Sequence, residues 1–173
     1  MTNRARALWT KGSLGIAATI GLVMAGIYDT AGAQQLAKSG TINWHTGWKD
    51  TGSAIEAADK RVQGQGIVTG VTFNDKGSGP LHLGPASCSY TFFAVEGTGK
   101  NKGFCTFSDA DGDRIFTDFT GGFAPDGQGS GVNEIMGGTG KYVGIQGSGP
   151  WKCKYIGKNG ELECVQRLEY RLP

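Results

Sequence analysis

Histidine and proline are scarce in this chain, and past its first 33 residues neither sign of charge is in excess. Its two histidines, His45 and His82, lie far apart with no third ligand at metal-binding spacing, so they read as surface or satisfied side chains. Setting residues 1–33 aside removes Arg4, Arg6, Lys11 and Asp29 and leaves 14 basic and 14 acidic residues. A neutral chain without a basic block offers nucleic acid little, because affinity there comes mainly from neutralising phosphates. After residue 33 no apolar run approaches the ~20 residues that span a bilayer as a helix. No Cys-x-x-Cys pair is present to suggest zinc, and no Gly-x-Ser-x-Gly elbow to suggest a serine hydrolase. The lysines that follow glycine runs lack phosphate-loop spacing. No cofactor is expected.

What the sequence does hold is a leader, an excess of glycine and four cysteines. Arg4, Arg6 and Lys11 precede a short apolar core, Leu14 to Ile27, and Ala31-Gly32-Ala33 offers small residues for cleavage before Gln34. That pattern is a secretory signal peptide over 1–33, which leaves one domain over 34–173 and places it in the periplasm or outside the cell. Of the 31 glycines, 26 fall in that domain without a collagen period. Aromatic and β-branched residues recur between them, as in an all-β fold. Cys88, Cys105, Cys153 and Cys164 are an even set in an exported chain, so two disulfides are expected. Cys153 and Cys164 flank the turn Lys158-Asn159-Gly160, which makes a cross-strand bridge easy. Cys88 then pairs with Cys105 by elimination. A hairpin closing around Gly97–Gly103 would set Cys105 opposite Val95, so this second bridge calls for an irregular segment near Pro85.

Taken in order, Gly40–Trp48 alternates as a strand with Ile42, Trp44, Thr46 and Trp48 on one face. Ser53–Lys60 has a capping-box spacing from Ser53 to Glu56 and is the one candidate helix. Strands are expected at Gly66–Asn74, Ser89–Glu96, Phe104–Ser108, Arg114–Phe119, Asn133–Gly137, Lys141–Gly147, Trp151–Ile156 and Glu161–Arg171, with a loop over Gly121–Gly131 and a two-residue turn at Asp111-Gly112. The words Gly97-Thr98-Gly99-Lys100 return as Gly138-Thr139-Gly140-Lys141, which suggests two similar hairpins. Short strands joined by tight turns can close into a meander barrel and so remove their edges.

The run Gly137-Gly138-Thr139-Gly140-Lys141-Tyr142-Val143-Gly144 resembles the glycine turn of dirigent proteins and of allene oxide cyclase-like barrels. Together with Asp109-Ala110-Asp111-Gly112-Asp113 it is also similar to small exported bacterial proteins of unestablished activity. The likeness covers residues 64–149. It implies a single antiparallel eight-stranded β-barrel with an apolar lumen; the two plant families are often trimeric, so a homo-oligomer is an expectation of the same kind. None of their catalytic residues transfers here position by position.

Several constellations have chemical potential. Asp109, Asp111 and Asp113 alternate around a turn and form a candidate Ca²⁺ site, although Arg114 and Thr120 stand where an EF-hand needs glycine and glutamate; the other reading is a solvated turn. Tyr90, Asp118, Glu134, Tyr142 and Gln146 are polar residues within apolar strands. If they face the lumen, Glu134, Asp118 and Tyr90 are the catalytic candidates, and Tyr142, Gln146 and Tyr90 the ligand-binding ones. A carboxyl group among apolar walls has a raised pKa and can act as an acid. The expected role is binding a small apolar or aromatic molecule in the lumen. A cofactor-independent cyclase or isomerase of the allene oxide cyclase or dirigent type is the alternative, and a structural envelope protein with a filled barrel is the third.

Overall fold

The computed structural model describes residues 36–173; the expected signal peptide lies outside the described residues. Eight strands follow one another: β1 (Ser39–Ala57), β2 (Arg61–Asn74), β3 (Gly84–Val95), β4 (Thr98–Ser108), β5 (Arg114–Phe123), β6 (Gln128–Gly138), β7 (Gln146–Tyr155) and β8 (Glu161–Arg171). Each pairs antiparallel with the next and β8 pairs with β1, so the meander closes as a barrel. Closure leaves none of the described strands with an unpaired edge. Among the described residues no helix is long and apolar enough to cross a membrane.

The face expected to be buried on β1 is buried: Ile42, Trp44, Thr46 and Trp48 all point into the barrel. Beyond Trp48 the strand does not stop. Ser53–Ala57 continues β1 in register with Arg61–Gln65 instead of forming the expected helix. Two helical turns standing alone cannot offset the cost of nucleation, whereas five more residues of ladder satisfy their backbone groups at once.

Many of the glycines within the strands serve neither turns nor flexibility. In the ladder Trp48 lies opposite Gly70, Phe92 opposite Gly64 and Tyr90 opposite Gly66. Phe119 and Phe123 lie opposite Gly103 and Gly99, and Trp151 opposite Gly131. A Cβ at Gly64, Gly99 or Gly103 would run into the facing ring, and one at Gly66 would lie 2.6 Å from the Tyr90 hydroxyl. A small barrel has no room for large side chains from every strand at one level. Glycine on one strand therefore makes space for an aromatic ring on the next.

The two glycine-lysine words do different work. The first is not the turn itself: Glu96 and Gly97, both at positive φ, close a two-residue hairpin, and Thr98–Gly103 belongs to β4. That shift puts Cys88 directly opposite Cys105. Their bridge therefore needs no irregular segment, contrary to the expectation. Cys153 and Cys164 are likewise partners in the ladder, and both disulfides are formed. The second word is no hairpin either; Gly140–Tyr142 is a 3₁₀ turn and β7 begins only at Gln146. The expected loop Gly121–Gly131 is mostly strand, with a turn confined to residues 124–127 and Asp126 accepting the Gln128 amide at 3.0 Å. The Asp109–Asp113 loop is wider than two residues: the Asp109 amide donates to the Asp113 carbonyl at 2.7 Å and Gly112 takes φ 92°.

Candidate functional site

The lumen is divided along its axis. The half nearer the start of β1 and the end of β8 is filled by Trp44, Phe107, Ile115, Leu168 and Ile42, with the rings of Trp44 and Phe107 meeting edge to face at 5.3 Å. Two residues plug its end. Leu81, at φ 56°, folds in from the β2–β3 loop, and Tyr142 enters from the 3₁₀ turn; both are fully buried. Asp109 lies beneath the plug. It accepts the Leu81 amide and the Tyr142 hydroxyl at 2.7 Å, and the Lys141 ammonium stands 2.5 Å from its Oδ2.

The three turn aspartates thus converge, but on Lys141. Its ammonium is 2.6 Å from Asp111 and 3.7 Å from Asp113, so the positive charge at the centre of the trio comes from the glycine motif. Asp109 is buried and not part of a solvated turn. Burial by itself lowers the Lys141 pKa, yet the hydrogen bonds that the ammonium donates to Asp109 and Asp111 outweigh it and hold the group above the ordinary lysine range. The same ammonium draws the Asp111 carboxyl below the ordinary range.

A polar belt crosses the middle of the barrel. Thr117 donates to Asn133 at 3.4 Å, Asn133 to Gln166 at 3.2 Å and Gln166 to Thr46 at 3.1 Å. Above this floor the lumen is open, with a cavity of about 230 Å³ walled by Trp48, Val68, Phe92, Phe119 and Trp151 and by both disulfides. Asp50 lies at its mouth. The carboxylate accepts the Tyr90 hydroxyl at 2.8 and 2.9 Å and the Tyr155 hydroxyl at 2.6 Å. In the wall, Trp151 Nε1–H and Asn101 Oδ1 are buried without a hydrogen-bond partner among the described residues.

Of the five lumen candidates read from the sequence, only Tyr90 lines this cavity. Tyr142 is inside the barrel but in the plug of the opposite end. Asp118 and Glu134 face each other across β5 and β6 on the outer surface, since Thr117, Phe119 and Asn133 take the inward positions. Gln146 is exposed at the start of β7, where its side-chain carbonyl accepts from Arg171 at 3.1 and 3.2 Å. A first strand ending at Trp48, as its alternation suggests, leaves out Asp50; β1 runs on to Ala57. The signal for Asp50 is parity: Trp44, Thr46, Trp48 and Asp50 share one face of a strand two residues longer.

Burial, then hydrogen bonding to Asp50 and its charge, raises the pKa of Tyr90 and of Tyr155 above the ordinary tyrosine range. Tyr142 is raised by burial and then by its bond to Asp109, and Tyr170 by burial. A phenol whose folded pKa is raised contributes stability that is present below the unfolded value, about 10, and lost as pH rises through the folded one. In an alkaline titration of the folded protein these four tyrosines therefore stay un-ionised past about pH 10, and tyrosinate absorbance appears together with loss of the near-ultraviolet dichroism. Ionisation of all four at ordinary pH in a protein that is still folded contradicts these placements.

No protein-family model matches the chain, and no curated protein matches it. Among solved structures, a pterocarpan synthase dirigent protein is similar to this chain at 13% identity and a TM-score of 0.47, and the match covers 86% of this chain and 100% of that one.

Proposed function

We propose that the open half of the barrel binds a small aromatic molecule carrying a hydroxyl group, with the ring between Phe92, Phe119 and Trp151 and the hydroxyl directed at Asp50. The observation that carries this reading is the pairing of an apolar cavity with one carboxylate held at its mouth by two phenols. A carboxylate with two donors already in place has acceptor capacity left over, so it can take a third hydrogen bond from a ligand. Small-molecule sites commonly have this composition, mostly apolar with a few convergent polar groups. The cavity is small, which favours one ring system over an extended ligand. The two disulfides suit export to an oxidising compartment, the periplasm or beyond.

A second reading rests on Asp50 as a reacting group. Hydrogen-bonded to two phenols in a partly dry mouth, it is placed to give or take a proton during a cyclisation or isomerisation that needs no cofactor. The structural reading with a filled barrel accounts for the plugged half and leaves the open half without a purpose.

Trp48 and Trp151 line the cavity, so their fluorescence reports on occupancy. Titration with 2-naphthol quenches it saturably, and Asp50→Asn weakens binding about tenfold or more, as loss of a charge-assisted hydrogen bond does. Naphthalene, which lacks the hydroxyl, binds wild type and variant alike. Absence of saturable quenching overturns the proposal; quenching indifferent to Asp50→Asn overturns the role given to Asp50.

A further inference from the structure

The outer wall of the barrel carries a second depression that the lumen site does not use, a trench of about 760 Å³ across β1 to β5. Its floor is the backbone row Gly52, Gly66, Tyr90, Gly103 and Phe119, which are successive partners in the ladder. The side chains of that row are absent or directed into the lumen, so the floor presents no side chain to the outside. Four inter-strand steps make the trench on the order of 19 Å long. One wall holds Ile67 and Phe104, which are 54% and 42% exposed, together with Ser89. The other is polar, with Gln65, Thr91 and Thr120.

We infer that this trench binds a neutral glycan chain. Among the described residues only one cation, Lys102, and one anion, Asp118, lie along it, so it has no net charge with which to select an ionic partner. The sheet's amides and carbonyls are bonded to one another in the ladder, so an extended peptide cannot add itself as a strand. Apolar groups alternate with hydroxyls, so an acyl chain finds no continuous greasy track. A sugar chain fits both features. Its C–H faces pack on Phe104 and Ile67, and its hydroxyl edges exchange hydrogen bonds with the serine, threonine and glutamine side chains. The Phe104 ring also lies parallel to that of Phe116, 17° apart in plane with centroids at 6.2 Å, which holds it in place before any ligand arrives and reduces the ordering cost of binding.

The test is native affinity electrophoresis in gels containing hydroxyethylcellulose, xyloglucan, galactomannan, β-1,3-glucan or starch, with polygalacturonate as an anionic control. At least one neutral polymer retards the wild-type protein. Phe104→Ala, checked for intact dichroism and both disulfides, weakens that retardation about tenfold or more, as removal of a central anchor does. Gln65→Ala weakens it too, while quenching by 2-naphthol is unchanged in both variants. Retardation by none of the neutral polymers overturns the inference. So does retardation indifferent to Phe104→Ala, stronger retardation by polygalacturonate, or a homo-oligomer that buries Phe104 against a second copy.

Discussion

Asp109→Ala lowers the stability of the barrel by about 3–5 kcal/mol. The carboxylate is 6% exposed and serves three donors from two separate stretches of the chain: the Leu81 amide of the β2–β3 loop, and the Tyr142 hydroxyl and Lys141 ammonium of the 3₁₀ turn. Without it the first two are left in an apolar plug with no acceptor, and each unmet buried donor costs about 1–3 kcal/mol. Lys141 keeps Asp111 and Asp113, so the lost ion pair is the smaller part. For a domain of this size the melting temperature falls on the order of 10 °C. Two controls separate the causes. Tyr142→Phe removes one bond and costs about 1 kcal/mol, and Asp111→Asn, at a half-exposed position, costs less than about 1 kcal/mol. If thermal unfolding finds Asp109→Ala no worse than Asp111→Asn, the aspartate is not the hub of the closed end.

Gly131→Ala costs about 3 kcal/mol or more, at the upper end of overpacking effects, although alanine has the better intrinsic stability in most backbone settings. A methyl group there would overlap the Thr120 carbonyl oxygen and stand 2.6 Å from the Gly121 Cα and 2.7 Å from the Trp151 ring. Two of those three neighbours are backbone and cannot rotate away. The strands would have to part at the point where Trp151 is lodged. Gly47→Ala is the counterpart. That residue faces outward, and a Cβ there meets nothing within 4 Å, so the same chemical change is neutral or stabilises by up to about 1 kcal/mol. Denaturant midpoints for the two variants decide the matter, since equal effects contradict the idea that inward glycines exist to seat aromatic rings.

Much of the fold was legible in single residues. The alternation Ile42, Trp44, Thr46, Trp48 fixed the inward face of the first strand, and the spacing of Cys153 and Cys164 about Asn159-Gly160 identified a hairpin and its bridge. Tertiary context decided the rest. Ser53–Ala57 has the letters of a short helix, but its partner strand Arg61–Gln65 captures it. The repeated glycine-lysine word looks like one device used twice; in one copy Gly99 and Gly103 are floor spaces under Phe123 and Phe119, and in the other Gly140, at φ 54°, turns the chain so that Tyr142 enters the barrel. Which glycines face inward depends on register, and register depends on turns that the letters alone located to within a few residues. The site was less legible for the same reason. Of the polar residues that interrupt apolar strands, only Tyr90 lines the open cavity; parity puts Asp118 and Glu134 outside and Asp50, beyond the expected end of its strand, within.

The central claim is that the open half of the lumen is a binding site, and native mass spectrometry with 2-naphthol tests it most directly. The wild-type chain, with both disulfides formed, takes up one molecule of 2-naphthol per chain. Val68→Phe, which fills part of the cavity from the β2 wall, loses that adduct while keeping its fold. A wild-type chain that stays bare at saturating 2-naphthol, or an adduct that survives Val68→Phe unchanged, contradicts the account.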